Sequence, residues 1–233
     1  MRPRLTAALG GTLLLIAALT GCATPAAPGD APSSVPDGGA PPLSDWEVDA
    51  AWLNGGSMIA LVTYGSSSCV PTLVDAKADA GVLVVELADA NANGCTDDLV
   101  PRPLAVPVPS GIDASAEVEV QVSMGEAYAD VDLDPYTAGP VEEFTPSAGW
   151  LDDDAVAILT WGSSSCVPVI EDVSVPSAAS VVVRFAKPDL EQVCTMDMAP
   201  QLTVAMLPEG ADVDDTATLT LGGLVDAEPL PIG

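Results

Sequence analysis

One nine-residue string occurs twice in this 233-residue chain, and its duplication constrains the fold more than any other feature. "TYGSSSCVP" spans residues 63–71, and "TWGSSSCVP" spans residues 160–168. The similarity extends upstream, where "WLNGGSMIALV" precedes the first copy and "WLDDDAVAIL" precedes the second. It also extends downstream, where Cys95 corresponds to Cys194 at an offset of 99 residues. An internal repeat of this length predicts two copies of one folding unit.

Both copies predict β-structure. In "AEVEVQV", Val118, Val120 and Val122 alternate with polar residues, which is typical of a strand with one buried face. Apolar runs predict strands that are buried on both faces or nearly so, at residues 58–63, 82–87, 156–160 and 181–185. "PRPLAVPVP", from Pro101, contains four prolines and therefore predicts an edge strand. The predicted fold is all-β, with two tandem small Ig-like β-sandwich repeats of five or six strands each.

The N-terminus predicts export. Arg2 and Arg4 precede an almost wholly apolar run over residues 5–19, which is typical of a signal peptide and too short to cross a bilayer as a helix. "LTGC", ending at Cys22, resembles the lipobox of bacterial lipoproteins. The resemblance implies that residues 1–21 are removed and that Cys22 carries a diacylglycerol anchor with palmitate-type chains. It also implies a location on the outer face of the cytoplasmic membrane.

Composition divides the remaining chain. Residues 22–45 are rich in proline, alanine and glycine and predict a disordered tether, as in "ATPAAPGDAPSSVPDGGAPP". The boundaries that follow are residues 46–124 for the first β-domain, 125–148 for an acidic linker, 149–228 for the second β-domain and 229–233 for a C-terminal tail. The linker segment could instead supply a strand to either domain. Two domains that fold separately are favoured over one continuous, pseudo-symmetric sandwich.

Four cysteines remain once Cys22 is lipidated, and they occupy matching repeat positions. We therefore expect one disulfide in each copy, Cys69–Cys95 and Cys166–Cys194, which suits an oxidising extracytoplasmic compartment. Each would contribute about 3.5 kcal/mol on the chain-entropy model. A zinc site or a redox pair is less favoured because the chain contains no C-x-x-C pair. The repeated "GSSSCVP" also resembles an element of uncharacterised actinobacterial envelope proteins, which implies a lineage but no activity.

The residue types present argue against catalysis by the repeated serines. The chain contains no histidine, so histidine-dependent triads and histidine-ligated metal sites are excluded. A serine nucleophile would then need a lysine base, but Lys77 and Lys187 do not occupy equivalent positions in the two copies. We interpret each GSSSC segment as a structural turn, with hydroxyls that satisfy turn amides. The sequence therefore predicts no enzyme and no cofactor.

The chain is strongly acidic. It contains 34 aspartates and glutamates and 6 lysines and arginines, for a formal net charge of −28. That charge repels nucleic acid, so no nucleic-acid partner is expected. Asp130, Asp132 and Asp134 are weak calcium candidates, because the segment lacks the glycine and the final glutamate of a calcium loop.

The predicted function is a non-enzymatic binding or interaction module that is held at the membrane by its lipidated N-terminus. Its expected partner is an envelope protein or a small molecule. One alternative is a hydrolase that uses paired carboxylates and needs no histidine. The other is a calcium-dependent adhesion protein that uses the acidic linker.

Overall fold

The computed structural model describes residues 46–89, 94–189, 191–223 and 229–233. The predicted signal peptide, Cys22 and the tether lie outside these residues. Within the described ranges no helix is long and apolar enough to span a membrane. The regular structure in these ranges is fourteen strands and a 3₁₀ turn at Asn54–Gly56, which confirms the all-β prediction.

The strands divide evenly between the repeats. Those of the first repeat are β1 (Val48–Leu53), β2 (Met58–Gly65), β3 (Thr72–Asp79), β4 (Val82–Ala88), β5 (Val100–Pro107), β6 (Val118–Met124) and β7 (Ala127–Leu133). Those of the second are β8 (Ser147–Asp152), β9 (Ala155–Gly162), β10 (Ile170–Ser177), β11 (Ser180–Phe185), β12 (Ala199–Met206), β13 (Thr218–Gly222) and β14 (Leu230–Pro231).

Each repeat is a sandwich of a three-stranded and a four-stranded sheet with the same topology. The sheet orders are β1-β2-β5 with β3-β4-β6-β7, and β8-β9-β12 with β10-β11-β13-β14. All neighbouring strands are antiparallel except the β4–β6 and β11–β13 pairs, which are parallel. The proline-rich strand β5 lies at a sheet edge, as predicted, because a proline has no N–H for an outer partner.

Strand alternation builds the core of each sandwich. Val118, Val120 and Val122 of β6 are buried, while Glu117 and Glu119 are exposed, as the pattern predicts. Their counterparts, Leu219 and Leu221 in β13, are buried in the second core. Burial of aliphatic side chains between two sheets about 10 Å apart is the main source of stability in such a fold.

The two sandwiches pack on each other through their three-stranded sheets. In β2, Ile59 and Leu61 join the core of the first sandwich, whereas Met58 and Ala60 face the second repeat. The shared interface core contains Ala51, Leu53, Met58 and Ala60 of the first repeat with Ala157, Leu159 and Leu202 of the second. The described residues therefore form four stacked sheets and belong to one compact unit.

This stacking explains which apolar runs are buried on both faces. The prediction for residues 58–63 and 156–160 is confirmed, because β2 and β9 are central strands of the two inner sheets. The prediction for residues 82–87 and 181–185 is wrong, because β4 and β11 alternate between buried and more exposed positions. Those two strands lie in the outer sheets, and one face of each sheet meets solvent.

The segment expected to be a linker begins with a strand. β7 pairs with β6 in the four-stranded sheet of the first repeat. The register runs from the pair Met124 and Ala127 at the turn to the pair Val118 and Leu133 at the far end. The segment expected to be a C-terminal tail contains β14, and Ile232 is buried at 7% exposure. Leu133 and Ile232 are related by the same offset of 99 residues, so each repeat extends to this last strand.

The close approach of the repeats requires a small residue in β8. A Cβ atom on Gly149 would lie 2.5 Å from the carbonyl oxygen of Trp52 and 3.0 Å from the Cβ of Ala51. Nearby, the backbone N–H of Asn54 donates to Ser147 Oγ at 3.0 Å. In these contacts β8 lies antiparallel to β1 of the facing sheet, and they hold the two repeats against each other.

Candidate functional site

The repeated serine turn is a closed hydrogen-bond network. In the first copy the Ser66 and Thr96 hydroxyl oxygens are 2.7 Å apart, and the Thr96 backbone N–H donates to Ser66 Oγ at 2.9 Å. The Ser67 backbone N–H donates to the Asp98 carboxylate at 3.2 Å, and the Thr96 hydroxyl also donates to it. Hydrogen bonds from Thr96 and then Ser67 lower the pKa of Asp98 to about 2.

The second copy reproduces this network. The Ser163 and Thr195 hydroxyl oxygens are 2.7 Å apart, and the Ser164 backbone N–H donates to Asp197 at 3.1 Å. Hydrogen bonds from Thr195 and then Ser164 lower the pKa of Asp197 to about 2. A carboxylate with so low a pKa is a weak base, so this arrangement ties the turn together and does not activate a serine.

A disulfide closes each turn, with the predicted pairing. Cys69 is bonded to Cys95 with a Cα–Cα distance of 5.5 Å, and Cys166 is bonded to Cys194 with a distance of 5.6 Å. Because Cys69 is buried at 6% exposure and Cys166 is only half-buried, the second bridge is the more accessible to solvent.

Two buried side chains donate hydrogen bonds to backbone carbonyls in or beside these turns. Neither was predicted from the sequence. Arg102 of β5 donates from Nη1 to the Cys69 carbonyl at 2.8 Å and from Nη2 to the Tyr64 carbonyl at 3.0 Å. Gln201 of β12, at the equivalent position, donates from Nε2 to the Ser163 carbonyl at 2.6 Å and the Cys166 carbonyl at 2.9 Å. A polar residue at the same buried strand position in both repeats was the available signal.

One candidate binding site is a groove between the two repeats, which we call the inter-repeat groove. Its volume is about 750 Å³, and its walls come from β1, the end of β7 with the residues after it, the end of β8 with its following turn, the turn before β13 and the last two residues of the chain. Six aspartates line it: Asp132, Asp134, Asp152, Asp153, Asp212 and Asp215. No lysine or arginine is among its described lining residues. The groove is therefore strongly acidic.

Aromatic side chains form part of the same lining. Trp52 and Trp150, which occupy equivalent repeat positions, line the groove together with Tyr136. The indole N–H of Trp52 donates to the Asp134 carbonyl at 2.7 Å, and the Tyr136 hydroxyl donates to the Gly139 carbonyl at 2.8 Å. Trp52 is only 4% exposed and packs in the first core, so the ring surface open to the groove comes from the half-buried Trp150 and Tyr136.

Acidic side chains of the two repeats lie close to one another near this groove. The Tyr64 hydroxyl donates to Asp49 Oδ2 at 2.5 Å, and the pKa of Asp49 is raised by burial and, to a lesser extent, by the charge of Asp152 in the second repeat. The pKa of Asp154 is also raised, first by its hydrogen bond with Asp152. Neither Asp49 nor Asp154 lines the groove.

The weak calcium candidates do not assemble around one point. Asp130 and Asp132 lie on the exposed face of β7, and Asp134 follows the strand. Residues two apart on a strand are separated by about 7 Å, whereas calcium needs its oxygens at about 2.3–2.6 Å. In the part of the chain that the structure describes, no group of three or more aspartate, glutamate, cysteine or histidine residues is placed to hold a metal ion.

A smaller cavity of about 450 Å³ lies beside the second disulfide, within the second repeat. The rings of Phe144 and Trp161 meet edge to face there, with centroids 5.2 Å apart. The indole N–H of Trp161 donates to the Thr145 carbonyl at 3.2 Å. The lining of this cavity is more apolar than that of the inter-repeat groove and contains Lys187.

Equivalent residues of both repeats contribute to the inter-repeat groove, so its own chemistry is the best guide to what the protein binds. Comparisons with protein-family models, with curated proteins and with solved structures found no match for this chain.

Proposed function

We propose that this chain is a lipid-anchored envelope protein that acts as a non-enzymatic binding module, with the inter-repeat groove as its binding site. The observation that carries the proposal is the groove itself: a cavity of about 750 Å³ between the two repeats, lined by six aspartates and by the half-buried Trp150 and Tyr136. Small-molecule sites typically have volumes of about 300–1,000 Å³ and often lie at domain interfaces.

Anchoring at the membrane is supported by the lipobox and by the disulfides. Two disulfides in one small chain are typical of an oxidising extracytoplasmic compartment. We propose that Cys22 carries the lipid and that residues 22–45 tether the folded part to the membrane's outer face. Labelled palmitate should enter the wild-type chain and not the Cys22→Ala variant, which should leave the membrane fraction. Equal labelling of both chains would reject lipidation at Cys22.

Binding by the groove can be tested by filling it. Thr137 is an exposed residue of the lining, so Thr137→Trp should block the groove without disturbing a core. Thr72→Trp, at an exposed position of β3 outside the groove, is the matched control. A ligand at 100 times its dissociation constant adds about 2.7 kcal/mol of stability. A small-molecule screen by melting temperature of the full chain should therefore yield compounds that stabilise the wild type and T72W but not T137W.

Compounds that stabilise all three chains equally bind elsewhere, and a library with no compound specific to the open groove would contradict the proposal.

The second candidate function is a carboxylate-based hydrolase, which the six aspartates in one groove favour. Such an enzyme needs one carboxyl that donates a proton and a second that remains ionised. Turnover of a glycan that is lost in Asp152→Asn or Asp212→Asn would establish it.

A further inference from the structure

We propose that the end of the second repeat that carries its disulfide is a docking surface for a partner protein, and that it binds a basic segment whose apolar side chains are flanked by lysines or arginines. We call this surface the apolar disulfide patch; its members are Phe144, Val167, Val169, Val193, Met196 and Met198. None of them lines the inter-repeat groove, so the inference does not depend on the ligand of that groove.

The second disulfide brings the valines of the patch together. Val167 follows Cys166 and Val193 precedes Cys194, and the Cα atoms of the two cysteines are 5.6 Å apart. Val167 and Val169 line the cavity of about 450 Å³ beside that disulfide. Each of the three valines is at least 50% exposed.

The methionines lie on either side of a residue that is bound to the serine turn. Asp197 lies between Met196 and Met198 and accepts a hydrogen bond from the Ser164 backbone N–H at 3.1 Å. Phe144 lines the same cavity as the valines and is 48% exposed. Exposed apolar patches with a polar rim mark interaction sites, and methionine and aromatic side chains are enriched in protein interfaces.

The first repeat shows that the fold does not require apolar residues at this surface. An offset of 97 residues places Thr72 at the position of Val169, and an offset of 99 places Asp97 at the position of Met196. All four residues are exposed, although the two repeats share one topology and one disulfide position. An apolar side chain that remains in water gains no stability from burial. The difference between the repeats therefore indicates a surface that becomes buried against another molecule.

The rim of the patch favours a basic partner. Asp189 lines the cavity, Glu191 and Asp197 lie on the disulfide loop, and Glu143 lies beside the exposed ring; all four are exposed. Lys187 is the one basic residue among the cavity's described lining residues. A basic segment would pair with these carboxylates while its apolar side chains cover the valines and methionines. A second copy of this chain would bring the same four carboxylates and be repelled, as would an anionic lipid surface.

Three synthetic peptides separate the contribution of charge from that of apolar contact. KKLKKLKKL carries both features, KKSKKSKKS keeps the lysines without the leucines, and EELEELEEL keeps the leucines with the opposite charge. The full chain is held in nanodiscs of neutral phosphatidylcholine, and binding to empty nanodiscs is subtracted. Titration at about 0.15 M salt limits attraction beyond a Debye length of about 8 Å. We expect the leucine–lysine peptide to bind at least about tenfold more tightly than either other peptide.

An exchange of residues between the repeats locates the site. Val169→Thr with Met196→Asp gives the second repeat the residues of the first, and Thr72→Val with Asp97→Met is the reciprocal control. The first double variant should lose at least about tenfold in affinity for the leucine–lysine peptide although it gains a negative charge, and the control should lose none. Because Met196 is fully exposed, Met196→Asp alone should preserve the fold and still lose at least about threefold.

Four results would overturn the inference. Equal affinity for the leucine–lysine and serine–lysine peptides would show attraction by net charge alone, and equal affinity for the leucine–glutamate peptide would show that the rim does not favour a basic partner. Equal losses in the two double variants, or no binding of the leucine–lysine peptide below about 1 mM, would reject the patch as the docking surface. A wild-type dimer in sedimentation that V169T with M196D abolished would show that the occupant is a second copy of this chain.

Discussion

Gly149→Ala should destabilise the protein by about 1–3 kcal/mol, because it adds a methyl group where the two repeats touch. The new Cβ would lie 2.5 Å from the carbonyl oxygen of Trp52, which is closer than such atoms are found. That oxygen belongs to the backbone of β1, inside a sheet, and it cannot move without shifting the strand. The substitution therefore separates β8 from β1 or distorts one of them.

Urea unfolding of the full chain measures this effect. Gly222→Ala is the matched control: the same change within a strand, but with 3.9 Å to the nearest atom. Because glycine costs about 0.5–1 kcal/mol of stability inside a strand, the control should be neutral or slightly stabilising. For a folded region of this size, a loss of 1 kcal/mol lowers the melting temperature by about 2–4 °C. If G149A matched G222A within about 0.5 kcal/mol, the tight packing of the repeats would be wrong.

Three further predictions concern the disulfide turns. Cys166→Ala with Cys194→Ala should cost about 3.5 kcal/mol in urea unfolding, and a loss below about 1 kcal/mol would contradict a stabilising role for the disulfide. Arg102→Met should cost about 2–4 kcal/mol, because two turn carbonyls lose their donors, whereas Arg102→Gln should cost less, since glutamine fills this role in the second repeat. The pKa values of Asp98 and Asp197 lie below the ordinary 3.8, so their contribution to stability is present above about pH 4 and lost as the pH falls towards 2. Stability measured from pH 5 to 2.5 should fall less in Asp98→Asn with Asp197→Asn, and an unchanged profile would contradict this assignment.

Several parts of the fold could be predicted because they depend on short-range rules. The alternation in Val118–Met124 identified a half-buried strand, since side chains in a strand point to opposite faces. The disulfide pairs followed from the duplication, because equivalent cysteines in two copies of one fold meet equivalent partners. The edge position of Val100–Pro107 followed from its prolines.

Other parts depend on contacts between distant segments and were not visible. The strand Ala127–Leu133 presents acidic residues at its solvent-facing positions, so its composition indicates a linker although Leu133 is buried. Its counterpart, Leu230–Pro231, contains a proline and is only two residues long, so the offset of 99 residues was not recognised there. The buried faces of Val82–Ala88 and Val156–Leu159 look alike in sequence, and only the stacking of the sheets distinguishes them.

The candidate site was missed for the same reason. The serine turns attract attention because they are identical, yet the antiparallel crossing of β1 and β8 places them at opposite ends of the stacked sheets. Asn54 meets Ser147 at one end, and Asp49 meets the charge of Asp152 at the other. The groove lies between these ends, and residues of both repeats line it. A cavity of this kind exists only when two copies pack face to face, so the duplication itself, rather than the repeated turn, creates the surface to which we assign binding.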